Sequence, residues 1–183
     1  KDKLAARLAL SGTYRDGTIY NVKTEKYTNT LNNQGLKGKL LYLPANNIAI
    51  TLAGDYTRQR PDGYAQVYAG TIPTQRPAFR QFENIIADLN YTLPSRNPFD
   101  RIIDTDVPWK SNQDMGGVSL NADFQIWKGT LTSTSAWRTW KWNPSSDRDF
   151  TGLQALSRSE APSIHNQWSQ ELRYAGKISR KLS

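Results

Sequence analysis

The sequence predicts an all-β protein, and within that class an antiparallel up-and-down sheet that forms a segment of a transmembrane β-barrel. Three observations indicate this fold. Six stretches alternate between apolar and polar residues, the connections between them are short and long in turn, and aromatic residues lie at both ends of the apolar faces. Because strand side chains alternate between the two faces of a sheet, each predicted strand has one apolar and one polar face.

The solvent that meets the apolar faces decides the function. In a water-soluble sheet these faces pack against a core, whereas in an outer-membrane barrel they contact lipid and the polar faces line the lumen. Only 37% of the 183 residues are apolar and the mean hydropathy is −0.69, yet the chain has six Trp and nine Tyr. This composition is poor for a self-contained core but normal for a wall one residue thick.

Several other protein classes are excluded by what the sequence lacks. There is no cysteine and His165 is the single histidine, so disulfides, thiolate zinc sites and multi-histidine metal sites are impossible. No apolar run reaches the roughly 18 residues of a membrane-spanning helix. The net charge of +8 is scattered rather than gathered into a basic patch with stacking aromatics, which argues against nucleic acid. With no nucleophile elbow and no phosphate-binding glycine loop, we expect no enzyme and no cofactor.

The alternation defines the predicted strands and connections. The strands are residues 4–15, 35–43, 48–57, 118–127, 130–142 and 167–174. Short turns at 43–47 and 127–129 alternate with long loops at 16–33, 58–117 and 143–166. Short periplasmic turns and long extracellular loops produce this rhythm in transmembrane barrels. In the longest loop, apolar residues at helical spacing predict one short amphipathic helix over residues 77–89.

Aromatic placement gives an independent indication of a membrane. If the long loops are extracellular, one set of aromatics lies near the outer interface and another near the inner one. The outer set is Tyr14, Tyr56, Trp137 and Trp168, and the inner set is Tyr42, Trp127 and Tyr174. The middle of the apolar face holds Leu, Ile, Ala and Gly. Such a distribution is typical of the aromatic girdles that flank the apolar band of a barrel.

Four local motifs carry a resemblance to a known family. They are WRTW at 137–140 following TLT at 130–132, WNP at 142–144 with DRDFTGL at 147–153, QWSQELR at 167–173, and the paired strands of 38–58. In these motifs the chain resembles the barrel portion of TonB-dependent outer-membrane receptors. The resemblance implies an active importer in the bacterial cell outer membrane, most often of a ferric siderophore and in some branches of cobalamin or sugars. It also implies energy from the TonB complex, delivered through a plug domain.

The chain departs from that family in its extent. Such receptors have about 22 strands around a plug, whereas residues 1–183 supply about six strands, no plug and no TonB-contacting segment. Six strands cannot close, and open sheet edges cannot face lipid. The absence of a signal peptide and of a closing signal at the end points the same way. We therefore expect this chain to be a partial barrel domain of a larger plugged receptor.

Candidate functional residues follow from strand parity and from the loops. The residues expected to face the lumen are Arg7, Lys37, Lys39, Asp55, Asp123, Arg138, Glu171 and Arg173. The residues expected to contact ligand are Arg58, Arg60, Tyr64, Tyr68, Trp140, Trp142 and His165. Cationic and aromatic side chains suit an anionic iron chelate that carries aromatic groups. Simple solvation of a polar wall, or a structural role in a loop, remains open for each residue. Calcium binding by loop aspartates is an alternative for the acidic residues at 104, 106, 147 and 149.

Two further functions remain open. The first is a soluble β-sandwich that binds carbohydrate, with Trp137, Trp140 and Trp142 as a stacking platform. It requires the apolar faces to meet one another as a core. The second is a non-specific porin, which would need neither a plug nor the family-like loop motif.

Overall fold

The computed structural model describes residues 3–63, 65–156 and 159–176, and it is an all-β structure with one short α-helix. The strands are β1 (Leu4–Arg15), β2 (Ile19–Asn21), β3 (Lys26–Thr28), β4 (Leu31–Ala45), β5 (Ile48–Gln59), β6 (Ile102–Ile103), β7 (Lys110–Ile126), β8 (Gly129–Ser146), β9 (Ser159–Glu160) and β10 (Ser163–Gly176). The six long strands are those predicted from the alternation.

The large sheet is an antiparallel meander. Its strand order is β1-β4-β5-β7-β8-β10, each strand antiparallel to its neighbours, and the short β9 pairs with the far end of β8. The sheet is open, because among the described residues β1 pairs only with β4, and β10 only with β8. The class and the up-and-down order are thus confirmed, while a closed barrel is not seen in this chain.

Neighbouring strands run in opposite directions, so successive connections lie at alternate ends of the sheet. The two tight turns, at Asn46–Asn47 and Trp127–Lys128, lie at one end, which we call the turn end. Trp127 has a left-handed backbone with φ of 52° and its side chain is 98% exposed. All three long connections lie at the opposite end, the loop end. The predicted rhythm of short and long connections is confirmed.

The strands reach further towards the loop end than the alternation predicts. The stretch 110–117 was expected to be loop, but it forms the first half of β7 and pairs with both β5 and β8. Polar residues dominate both faces of this stretch, so no period of two is visible in the sequence. Its strand conformation is stabilised by the backbone pairing with β5 on one side and β8 on the other. The predicted loop 16–33 is likewise partly strand, since it contains β2, β3 and the start of β4.

The long connections pack together into a loop assembly. In it β2 pairs antiparallel with β3 and parallel with β6, forming a second, three-stranded sheet that joins the first and second long connections. The predicted helix is present as α1 (Phe82–Asp88), which begins after a 3-10 turn at Ala78–Arg80 rather than at Pro77. The loops are therefore built structures and not open coil.

Buried apolar side chains are confined to this loop assembly. In the described ranges they are Ile19, Ile86, Ile103 and Val107. The apolar face of the large sheet is exposed instead, with Leu8 at 69%, Leu120 at 45% and Leu172 at 68%. Within the part of the chain that the structure describes, no second layer covers this face. A sandwich core is thus not formed by these residues.

Candidate functional site

The strand register sorts the large sheet into two chemically distinct faces. On the apolar face, Leu8, Gly38, Gly54, Val118 and Trp137 stand side by side across five strands. On the polar face, Lys37 and Asp55 are partners, as are Arg7 and Lys39. All eight residues expected to face a lumen share the polar face: Arg7, Lys37, Lys39, Asp55, Asp123, Arg138, Glu171 and Arg173.

An ion pair spans three strands of the polar face. The Arg138 guanidinium on β8 donates to both carboxylate oxygens of Asp55 on β5, at 2.6 and 3.0 Å. The residue between them on β7 is Gly117. A Cβ at this glycine would meet the Trp137 carbonyl oxygen and would lie 3.1 Å from Arg138 Cδ. The missing side chain therefore makes room for the guanidinium to cross β7.

A stacked tryptophan pair lies on the polar face at the loop end. The rings of Trp140 and Trp142 are 5.7 Å apart between centroids with an interplanar angle of 19°. Trp140 Nε1 donates to Gln113 Oε1 at 3.1 Å, and Trp142 Nε1 donates to Ser111 Oγ at 2.9 Å. His165 is the register partner of Trp140. The structure therefore brings together three of the residues expected to contact ligand.

Arg58 and Arg60 lie apart from the tryptophan pair. Arg58 follows Tyr56 on the same side of β5 and is opposite Asp114 in the register, so it belongs to the loop end of the apolar face. The Arg60 guanidinium donates to the Asp114 carboxylate at 2.6 Å and to the Gln113 carbonyl oxygen at 2.8 Å. Neither arginine is grouped with the indoles on the polar face.

Tyr68 belongs to a separate cluster around α1. Its ring stacks on Phe82 at 5.7 Å, and its hydroxyl donates to Glu83 at 3.3 Å. Arg96 donates to both Glu83 oxygens, at 3.0 and 2.7 Å, and stands 6.0 Å from the Tyr68 ring centroid. The Arg96 guanidinium lowers the pKa of the Glu83 carboxyl. Tyr64, the remaining expected ligand contact, lies outside the described residues.

Loop aspartates hold the loop assembly together. Asp147 is fully buried and accepts hydrogen bonds from the backbone N–H groups of Asp106, Asp149 and Phe150 at 3.1 to 3.2 Å. Burial raises its pKa, and the nearby Asp149 adds to the effect. Asp104 accepts a hydrogen bond of 2.6 Å from the Tyr91 hydroxyl. These carboxylates already have protein donors, and in the described ranges no group of three or more acidic or histidine side chains is arranged to hold a metal.

Two residues that sequence reasoning missed complete the loop end of the apolar face. Asp114 joins β5 and β7, because Tyr56 Oη donates to it at 2.6 Å and Arg60 pairs with it. Lys141 is its register partner on β8. Asp114 was hidden in a stretch expected to be loop. Lys141 has the parity of Trp137 and Thr139, which is the signal that could have identified its face.

In the described part of the chain, no helix has the length and apolar character needed to cross a membrane. Comparison with known protein families, with curated proteins and with solved structures finds no match to this chain.

Proposed function

We propose that this chain is part of the barrel of a TonB-dependent transporter in the bacterial outer membrane, which takes up a scarce ligand, a ferric siderophore. The observation that carries the proposal is the exposed apolar face of the large sheet. Soluble proteins rarely expose contiguous apolar patches larger than a few hundred Å². Lipid is the solvent that accommodates a face built from Leu8, Leu52, Leu120 and Leu172.

The distribution of buried residues supports the same proposal. A sheet that spans a membrane needs no core of its own, whereas loops that stand in water do need one. Among the residues that the structure describes, the buried aliphatic side chains all belong to the loop assembly. The loop end then faces the cell exterior and the turn end faces the periplasm. The exposed Trp127 suits the inner interface, where an indole meets both lipid and water.

Under this proposal the polar face forms part of the lumen wall. The stacked pair of Trp140 and Trp142, with His165 beside it, contacts an anionic iron chelate that enters from the loop end. The ion pair of Arg138 with Asp55 links β8 to β5 on the turn-end side of the tryptophan pair and stabilises this part of the lumen wall. Transport itself needs the rest of the barrel, and energy from TonB reaches it through a plug domain.

Fractionation of the full-length protein tests membrane residence. We expect it in the outer-membrane fraction, resistant to a carbonate wash and released by detergent. Recovery in the soluble fraction without detergent would sink the proposal.

Binding of a ferric catecholate siderophore, followed by quenching of Trp fluorescence, tests the ligand class. The double variant Trp140→Ala and Trp142→Ala should bind about tenfold more weakly or worse, since aromatic contacts contribute about 0.5–1.5 kcal/mol each. Trp168→Ala on the apolar face is the matched control and should keep wild-type affinity. Equal affinity in the wild type, the double variant and Trp168→Ala would show that the tryptophan pair does not contact the ligand.

The carbohydrate-binding sandwich is favoured by one observation, the stacked tryptophan pair, because sugar rings also bind to aromatic faces. It requires a second sheet over Leu8 and Leu120, and the described residues supply none. A monodisperse, detergent-free protein with cooperative melting would favour this alternative.

A further inference from the structure

A basic cavity lies at the loop end of the apolar face. It has a volume of about 640 Å³, and the polar residues that line it are Gln34, Tyr56, Arg58, Arg60, Asp114, Thr139 and Lys141. Three basic side chains and one carboxylate give it a net charge of +2. Because the register puts Arg58, Asp114 and Lys141 in one row with Gln34, this cavity opens on the side of the sheet that carries the leucines, not on the side of the tryptophan pair.

Two of the three basic side chains, Arg58 and Lys141, have no hydrogen-bond or ion-pair partner among the described residues. Arg60 is taken up by Asp114, at 2.6 Å, and Tyr56 Oη donates to the same carboxylate. Within residues 3–63, 65–156 and 159–176, the side chain of neither Arg58 nor Lys141 makes a hydrogen bond or an ion pair, and both are exposed. Their backbones stand two strand spacings apart, about 10 Å. Side chains of this length can converge on one anion between them.

An apolar trough continues from the cavity towards the turn end. It has a volume of about 690 Å³ and shares Leu36 and Tyr56 with the basic cavity. Its floor is formed by Gly38 and Gly54, which are register partners without side chains, and Leu52 lies on its wall. The basic cavity and the trough therefore form one groove that is cationic at the loop end and apolar below.

We propose that this groove binds a membrane lipid whose phosphate headgroup carries a net negative charge. The phosphate lies between Arg58 and Lys141, and an acyl chain lies in the trough over Gly38 and Gly54. The guanidinium fork suits two phosphate oxygens, and the ammonium adds a point charge. The order of polarity along the groove matches that of an amphiphile. A free phosphate would leave the trough empty, so the lipid is the occupant to which the chemistry points. The inference rests on the proposed function, because it needs the apolar face to stand in a membrane.

Native mass spectrometry of the full-length protein in non-ionic detergent tests the proposal. The probes are dioleoyl phosphatidic acid and dioleoyl phosphatidylcholine, which differ only in the headgroup. We expect phosphatidic acid to be retained at least tenfold more tightly. The double variant Arg58→Ala and Lys141→Ala should abolish this preference. The matched control combines Lys23→Ala in the exposed β2–β3 turn with Lys26→Ala at the exposed start of β3; it removes the same charge and should keep the preference.

The trough is tested by Gly38→Leu with Gly54→Leu. A Cβ at Gly38 would meet only Leu8 Cδ1, at 4.0 Å, and one at Gly54 would meet the Gly117 carbonyl oxygen at 3.5 Å and Val118 Cγ1 at 3.6 Å. The added side chains fill the trough, so retention of phosphatidic acid should fall at least tenfold. Circular dichroism checks that this variant is folded. If the glycine variant is not folded, the test of the lipid site rests on the Arg58→Ala with Lys141→Ala variant alone.

Three results of the retention measurements would overturn the lipid site. These are equal retention of the two lipids, equal loss in the control variant, and displacement of phosphatidic acid by millimolar inorganic phosphate. The last would assign the cavity to free phosphate. Binding of a second protein copy in place of lipid would also overturn it. Fractionation measures membrane residence independently of lipid binding. A protein that is found in the membrane but shows no lipid preference would therefore contradict this inference without contradicting the proposed function.

Discussion

The substitution Leu52→Arg tests which solvent meets the apolar face. Leu52 is at the middle of the apolar residues of β5, which run from Ile48 to Tyr56, and it is 49% exposed. At about 3.3 Å per residue it stands about 13 Å along the strand from each end of that run. This is close to the midplane of an apolar band about 25 Å tall.

The expected cost follows from that depth. An arginine on the lipid face costs about 2–4 kcal/mol at the bilayer midplane. Thr51→Arg is the matched control on the same strand, since Thr51 lies on the polar face and the change should cost no more than about 0.5 kcal/mol. Leu52→Trp separates lipid from protein: lipid yields to a larger side chain, whereas a packed interior loses about 1–3 kcal/mol to overpacking.

Urea titration of the full-length protein in phospholipid vesicles measures all three variants. We expect a large loss of unfolding free energy for Leu52→Arg only. Equal losses at positions 51 and 52 would refute the face assignment. A loss for Leu52→Trp as large as 1–3 kcal/mol would show that protein, rather than lipid, covers the apolar face.

Two further predictions concern the sheet and the loops. Gly117→Ala should lower the unfolding free energy by about 1–3 kcal/mol, because its Cβ would press on the Trp137 carbonyl oxygen. Gly12→Ala is the control, since a Cβ there has open space, and it should be close to neutral in the same titration. Equal losses in the two variants would contradict this account. The Glu83 carboxyl has a pKa lowered by Arg96, so its stabilisation is complete above the unfolded pKa near 4.5 and is lost as the pH falls through the folded value. The protection factors of the α1 amides, which correct for the slower intrinsic exchange at low pH, should therefore fall on acidification in the wild type and show no such change in Glu83→Gln.

Strand parity made most of the sheet predictable. The limits of β1 agree with the prediction because its leucines and polar residues alternate without a break. The same parity put all eight lumen candidates on one face. The first half of β7 could not be predicted, since both of its faces are polar there and only its pairing with β5 and β8 makes it a strand. The strands β2 and β6 are equally hidden, because Tyr20 pairs with Ile102 across more than eighty residues.

The candidate ligand residues were less predictable than the strands. Loop position was the criterion that grouped Arg58 with Trp140, and loop position does not fix a face. Parity contained the missing information, since Arg58 lies two residues beyond Tyr56 and six beyond Leu52. The predicted strand ended one residue too early to apply it. The cluster of Tyr68 with Glu83 and Arg96 depends on the path of a long connection, which no local pattern encodes.

Among the described residues, every buried aliphatic side chain lies in the loop assembly, so the two ends of the molecule depend on different surroundings for their stability. Ile19, Ile86, Ile103 and Val107 are buried by protein alone, without help from any amphiphile. Extraction into a harsh detergent should therefore unfold the large sheet while the loop assembly stays folded. Antibodies that bind the folded loops would then still recognise a protein whose strands have already come apart.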